Sequence, residues 1–244
     1  MPTIKDNSRK QPDWNIDAER LILYADFMGF KNRIYSNSHE TIKKELESFN
    51  LKFSKKIKPL QNGDYLKFVQ FSDSILIVVN GVNDRMFNLI TKASVCLFHV
   101  SMEMGIPIKG VIAKGLFTYD KAKEIYFGKP LVDAYLLHEE IKFYGIVVHH
   151  SAESIIKKYS NNTNPYLNSQ IYLEKGKVRH YHLCWNLLKQ NLSSGDITDD
   201  CKKWLENIGE TVSGSPRMYI DRTIEVLESD KEQYKCDNEV NDAI

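Results

Sequence analysis

Apolar residues at Met86, Leu89, Ile90, Ala93, Leu97 and Val100 recur at i, i+3, i+4 spacing until Gly105 and Pro107 break the pattern. This predicts a long amphipathic helix, and such a helix needs a surface on which to lay its apolar stripe. The flanking sequence supplies that surface. On the N-terminal side, Tyr65 to Phe71 and Ser74 to Asn80 are rich in β-formers and flank Ser72-Asp73, predicting a hairpin with Asp73 at its tip. On the C-terminal side, Ile108 to Ala113 predicts a further strand.

Upstream of the hairpin, the run Leu21-Ile22-Leu23-Tyr24-Ala25 after Arg20 reads as a buried strand with Asp26 at its C-terminal end. Met28-Gly29-Phe30 then turns the chain. Asn37 with Glu40 three residues on predicts a capped helix, carried by Ile42, Leu46 and Phe49 to about Ser54, and Gln61-Asn62-Gly63-Asp64 is turn chemistry. The order β-α-β-β-α-β is thus complete by about residue 115. That order is the split βαβ, or ferredoxin-like, arrangement of the α+β class, with two helices on one face of an antiparallel sheet. In it the first strand neighbours the hairpin, so Asp26 and Asp73 are expected to converge.

A short strand ending at Phe127, a helix from about Pro130 to Glu140 and the apolar strand Ile146 to Val148 follow. Beyond Val148, Asn161-Asn162-Thr163-Asn164-Pro165 predicts a loop, Gln170 to Leu173 with Lys177 to Leu183 a hairpin, and Asp200 to Asn207 the start of a helix, with two helices closing the chain. The expected division is a polar segment 1–17, a core 18–150, an extension 151–227 packed on the core, and a polar tail 228–244 prone to fraying.

A chain of 244 residues, 42% of them hydrophobic, can bury a large core without disulfides. Cysteines 96, 184, 201 and 236 form no CxxC pair and read as buried thiols in a reducing compartment. Met1 to Asn15 lacks an apolar leader and no later run reaches spanning length, so a cytoplasmic, membrane-free protein is expected. A net charge of +1 without a long like-charge run gives nucleic acid no electrostatic footprint. A triphosphate asks less, because a metal ion and a few lysines neutralise it locally.

Carboxylates at the ends of adjacent strands are hard oxygen ligands suited to magnesium or manganese. Two such ions at about 3.5–4 Å can hold both the attacking and the leaving oxygen of a phosphoryl displacement. Taken singly, an aspartate in a turn also serves by bonding nearby backbone N–H groups, and Ser72 and Ser74 either orient Asp73 or suit the same turn. Polymerases and nucleases also pair acids around two metals, but the near-neutral charge argues against a nucleic-acid substrate. His180 and His182 share a strand face without a third ligand at suitable spacing. His149 and His150 would point to opposite faces of a strand, and His138-Glu139-Glu140 reads as a solvated helix end. Tyr65, Phe68, Phe71, Tyr126, Phe127 and Tyr135 are able to stack on a base, with core packing the ordinary role for most.

Three motifs carry a family resemblance. Tyr24-Ala25-Asp26-Phe27-Met28-Gly29-Phe30 resembles the first metal motif of class III nucleotidyl cyclases, Phe71-Ser72-Asp73-Ser74-Ile75 the second, and Tyr126-Phe127-Gly128-Lys129-Pro130-Leu131 a later motif that opens a helix. The rest of the chain is similar to the compact cyclases of bacterial Pycsar antiphage systems, which make cyclic UMP or cyclic CMP. The resemblance implies a homodimer with sites at its interface. It implies two Mn2+ or Mg2+ ions on Asp26 and Asp73 with help from the Phe27 carbonyl, and a loop through Gly29 and Phe30 whose N–H groups meet phosphate. It also implies a separate effector activated by the product, and no organic cofactor. Where purine cyclases carry polar base readers, this chain has Val69 and Ile125, which favours UTP or CTP. The family's transition-state asparagine and arginine fall on Val132 and Leu136. Lys109, Lys114 and Lys129 are the candidate replacement cations, each also explicable as a solvated lysine. Loss of one such electrostatic contact costs about 10²–10³ in rate.

Overall fold

The computed structural model describes residues 14–61, 64–158, 165–184 and 197–242, with the side chains of 197–198 and 234–242 left aside. The central strand, β1 (Asp17–Phe27), pairs along its whole length with β4 (Ile108–Asp120) on one side and with β3 (Ser74–Val79) on the other. The strand β2 (Leu66–Phe71) joins β3 through the Ser72-Asp73 turn, where Ser72 adopts φ 55°. This quartet is the arrangement expected from the sequence. Beyond β4 the same sheet continues through β6 (Ile146–Val148), β8 (Gly176–Leu183) and β7 (Tyr166–Leu173), and β5 (Ile125–Gly128) folds back on β4, making eight strands. The segment expected as an extension packed on the core thus supplies strands to the sheet itself.

The quartet is antiparallel with two helices on one face, as expected, and the full sheet adds two features beyond it. The sheet becomes mixed, because β6 runs parallel to β4. Parallel neighbours need a crossover, and α4 (Lys129–Glu140) is that crossover. Helices also lie on both faces. The strand alternates its side chains, so Leu21, Leu23, Ala25 and Phe27 face a core built with α2 (His39–Ile57) and α3 (Asp84–Glu103), while Ile22 faces a second core shared with Ala134 of α4. In the first core, Phe49 and Phe53 of α2 are fully buried, with Phe49 edge-on to Phe27. Each such ring contributes about 1.5–3 kcal/mol of transfer free energy.

The long helix follows its periodicity: Asn83 caps α3 by accepting from Met86 N–H, and Gly105 ends it at φ 66°. The preceding helix starts one residue later than expected, with Ser38 accepting from Thr41 N–H. Asn37 instead donates to the Arg33 carbonyl and closes a separate short helix, α1 (Phe30–Ser36). The chain after β6 enters α5 (His150–Lys158), so His149 and His150 do not alternate along a strand. Residues 161–164 of the expected loop lie outside the described residues. At the end, α6 (Ile197–Gly209) packs with α7 (Ser215–Asp242). The polar stretch from residue 228, expected to fray, begins inside α7, where Asp230 is buried.

Candidate active site

Asp26 sits one residue from the end of β1, opposite Ser74, so the register alone brings it beside the β2–β3 turn. The Phe27 N–H donates to the Asp73 carbonyl at 3.1 Å and the Met28 N–H to the Pro107 carbonyl at 2.7 Å. The first bond locks the strand end to the hairpin tip and the second locks it to the residue that enters β4. The left-handed backbone at Gly29 (φ 75°) then turns the chain into α1, a conformation that glycine takes without steric cost. Asp26, Phe27, Gly29, Phe30, Asp73, Lys109, His138 and Glu139 are among the residues lining one open pocket of about 290 Å³. The two aspartates expected to converge do line it together.

Strand alternation puts Asp26 on the same face as Tyr24, the side covered by α4. The Tyr24 hydroxyl donates to Asp26 Oδ2 at 2.9 Å and lies 3.3 Å from Ser74 Oγ. Asp26 Oδ1 is buried and has no hydrogen-bond partner. Burial therefore pushes the Asp26 carboxyl above its ordinary pKa, Asp73 adds to the rise, and the Ser74 and Tyr24 hydroxyls and Lys109 oppose it. A desolvated carboxylate with a free oxygen, facing a pocket that a second carboxylate also lines, is a donor set that fits a divalent cation.

Lys109 lies directly across from Asp26 in the β1–β4 register, but its ammonium is committed elsewhere. Its Nζ donates to the His138 carbonyl at 2.9 Å and sits 3.5 Å from the Ile141 carbonyl, capping the C-terminal end of α4 in a buried position. Lys114 and Lys129 are not brought to the site by their own chain. Lys114 is five residues further along β4, about 17 Å away at strand rise, with Glu19 at 3.9 Å. Lys129 follows the Gly128↔Phe117 pair and binds Asp133 at 2.5 Å.

His138, read from sequence as solvated, is corrected by the structure: its side chain is 3% exposed. The reason is α4, which lies across β1 and β4 so that its last turn tucks the ring edge-on to Tyr24, at 5.2 Å between centroids. Its Nε2 lies 3.6 Å from Asp26 Oδ2 and has no hydrogen-bond partner. Burial, with Lys109 and Lys142 nearby, pushes its pKa down to about 3, so the imidazole is neutral. Only the position of a histidine near the end of the predicted helix hinted at this in sequence.

The other histidines are also placed differently. His149 and His150 have ring centroids 4.0 Å apart because α5 starts at His150. His180 lies 4.0 Å from Glu153, while His182 meets Asp230 at 2.7 Å with the Cys184 thiol 3.7 Å from the same oxygen. Sequence offered His182 no third ligand, whereas α7 brings one. Asp230 also accepts from the Ser169 hydroxyl, and this buried set pins α7 to the β7–β8 hairpin through hydrogen bonds. Val132, Tyr135 and Leu136 of α4 are exposed, as are Leu116, Ile125 and Phe127 of the β4–β5 arm. Val69 packs against the α4-side core.

No protein-family model and no curated protein matches the chain, but solved structures do. The catalytic core of a rhodopsin-guanylyl cyclase with converted specificity, in complex with ATPαS, is similar at 16% identity, with 68% of this chain and 96% of that chain covered and a TM-score of 0.50. The chain has the nucleotidyl cyclase fold. A monomeric structure of a double mutant of the guanylyl cyclase domain of the RhoGC fusion protein from Blastocladiella emersonii is similar at 15% identity over 68% and 96% of the two chains, with a TM-score of 0.50. The adenylyl cyclase CyaB from P. aeruginosa is similar at 14% identity over 73% and 98%, with a TM-score of 0.47. Within this cyclase fold, the described residues contain no helix long and apolar enough to cross a membrane.

Proposed function

We propose that this chain is a metal-dependent nucleotidyl cyclase that closes a pyrimidine nucleoside triphosphate, UTP or CTP, into its 3′,5′-cyclic monophosphate with release of pyrophosphate. The observation that carries the reading is the buried, unpartnered Oδ1 of Asp26 in a pocket that Asp73 also lines. Asp26 and Asp73 hold two divalent ions, Mn2+ or Mg2+, assisted by the Phe27 carbonyl, while the backbone at Gly29 and Phe30 meets the phosphates. Bound ions supply Lewis acidity at the ribose 3′-oxygen and at the leaving pyrophosphate. The chain's own contribution is to fix the carboxylates: Tyr24 and Ser74 orient Asp26, and the sheet holds the Asp73 turn against it.

The site is completed by a second copy. Exposed Leu116, Ile125, Phe127, Val132, Tyr135 and Leu136 give the β4–β5 arm and α4 an apolar surface that a homodimer covers. Lys114 stands too far along β4 to serve its own Asp26 and Lys129, at the start of α4, is paired with Asp133; an interface site is where a partner's lysines reach the triphosphate. Val69 and Ile125 lack hydrogen-bonding side chains, which supports a pyrimidine over a purine edge. The cyclic product is read as a cytoplasmic second messenger in antiviral defence, acting on a separate effector.

Purified protein given Mn2+ and all four nucleoside triphosphates in competition is expected to release pyrophosphate and cyclic UMP or cyclic CMP. Asp26→Ala and Asp73→Ala are each expected to abolish it, and full activity in either variant overturns the reading. A purine product instead makes this an adenylyl or guanylyl cyclase like its structural neighbours. A second reading, a nucleotide-binding dimer without turnover, is favoured by the commitment of Lys109 to α4 carbonyls and by the apolar Val132 and Leu136. It expects tight triphosphate binding and no product.

A further inference from the structure

We propose that His138 Nε2 is a direct ligand of the ion held by Asp26, so that this centre has a mixed oxygen and nitrogen donor set. The inference rests on the metal reading above. Asp26 Oδ2 and His138 Nε2 are 3.6 Å apart, too far for a hydrogen bond between them. The nitrogen is buried with no partner, the facing Oδ2 accepts from Tyr24, and Oδ1 of the same carboxylate is also unpartnered. Buried polar atoms are normally satisfied, so an orphan nitrogen beside an under-satisfied carboxylate that lines the same pocket calls for an occupant. Donor atoms bound to one ion at about 2.0–2.2 Å stand about 2.8–3.1 Å apart at octahedral angles and about 3.3–3.6 Å at tetrahedral ones. The observed separation lies at the wide end of that range, so an ion would draw the two groups slightly together.

The second shell agrees. His138 Nδ1 lies 3.4 Å from Glu139 Oε1, and a proton held on Nδ1 toward that carboxylate leaves the lone pair on Nε2. Tyr24 donates to Asp26 Oδ2 and fixes the carboxylate plane, as the partners of ligating carboxylates do. The histidine backbone is itself tied down, since its carbonyl accepts from Lys109. Lys109 brings a positive charge to the pocket, but Asp26, Asp73 and Glu139 outnumber it there. An imidazole ligand suits a transition ion and not magnesium, which keeps an octahedron of oxygens. The nitrogen donor therefore disfavours magnesium at this centre relative to a transition ion such as manganese.

The test is electron spin-echo spectroscopy of the full chain loaded with Mn2+ and without nucleotide. Histidine nitrogen modulation is expected in the wild type, changed by uniform 15N-histidine labelling and absent in Mn2+-loaded His138→Asn. Titration should show His138→Asn weakening Mn2+ about tenfold or more while leaving Mg2+ within about threefold. Bound Mn2+ with no histidine modulation overturns the inference and leaves the aspartate centre standing, as does modulation that persists in His138→Asn. Failure of the folded wild type to bind Mn2+ overturns both.

Discussion

Asp26→Asn isolates the energetic consequence of the site. The wild-type carboxylate is desolvated, with Oδ1 unpartnered and Oδ2 held by Tyr24. A buried polar atom left unsatisfied costs about 1–3 kcal/mol, and more when it is charged. Asparagine keeps the shape and still accepts from Tyr24 but carries no formal charge, so without metal the variant should be more stable by about 1–2 kcal/mol. For a chain of this size that raises the melting temperature by about 2–8 °C. The assay is thermal unfolding followed by circular dichroism in chelator. The pH dependence has a definite sign. The folded pKa of Asp26 lies above the unfolded value of 3.8, so the native state holds the extra proton between the two. Wild-type stability is therefore lost as pH rises through the folded pKa, and the variant's advantage is full above the folded pKa and closes as pH falls toward 3.8. Manganese should reverse the order, adding about 2.7 kcal/mol to the wild type at a hundred times its Kd. A variant less stable than wild type at neutral pH in chelator refutes the assignment of Asp26 as a desolvated ligand.

Lys109→Met removes the buried donor to the α4 carbonyls and should cost about 1–3 kcal/mol in urea unfolding, whereas unchanged stability would return this lysine to the phosphates. Leu136→Asp on the exposed face of α4 should convert a dimer to monomers in sedimentation velocity and abolish turnover with the circular dichroism spectrum retained. A variant that stays dimeric places the interface elsewhere. Gly110→Ala puts a Cβ 2.9 Å from both the Tyr24 carbonyl and Ala25 Cβ, in the ladder that carries Asp26, and should destabilise by about 1–3 kcal/mol in the same unfolding assay.

How much was legible follows from how local each signal is. The strand Leu21 to Ala25, the Ser72-Asp73 turn and the Met86 to Val100 helix carry their own periodicity, and the order of these elements alone puts Asp26 beside Asp73. The rest depends on partners distant in sequence. The strand β4 continues past Ala113 through Lys114-Gly115 to Asp120, because the whole length of β1 and then β5 offer it ladder partners. His138 is followed by two glutamates and looks solvated until α4 is laid across the sheet. Lys109 is a plausible phosphate contact in one dimension and a helix cap in three. Asp230 lies in a polar stretch, yet α7 delivers it to His182 beneath the surface. Except for β5, the deciding neighbour is tens of residues away and leaves no mark on the local pattern.

The most direct test is a crystal structure of the full chain with Mn2+ and 3′-deoxy-UTP, which lacks the attacking hydroxyl and cannot turn over. The expected result is a dimer with manganese bound by the carboxylates of Asp26 and Asp73 and the triphosphate lying over it along the Gly29-Phe30 turn. A triphosphate seated elsewhere, with both carboxylates free of metal, contradicts it.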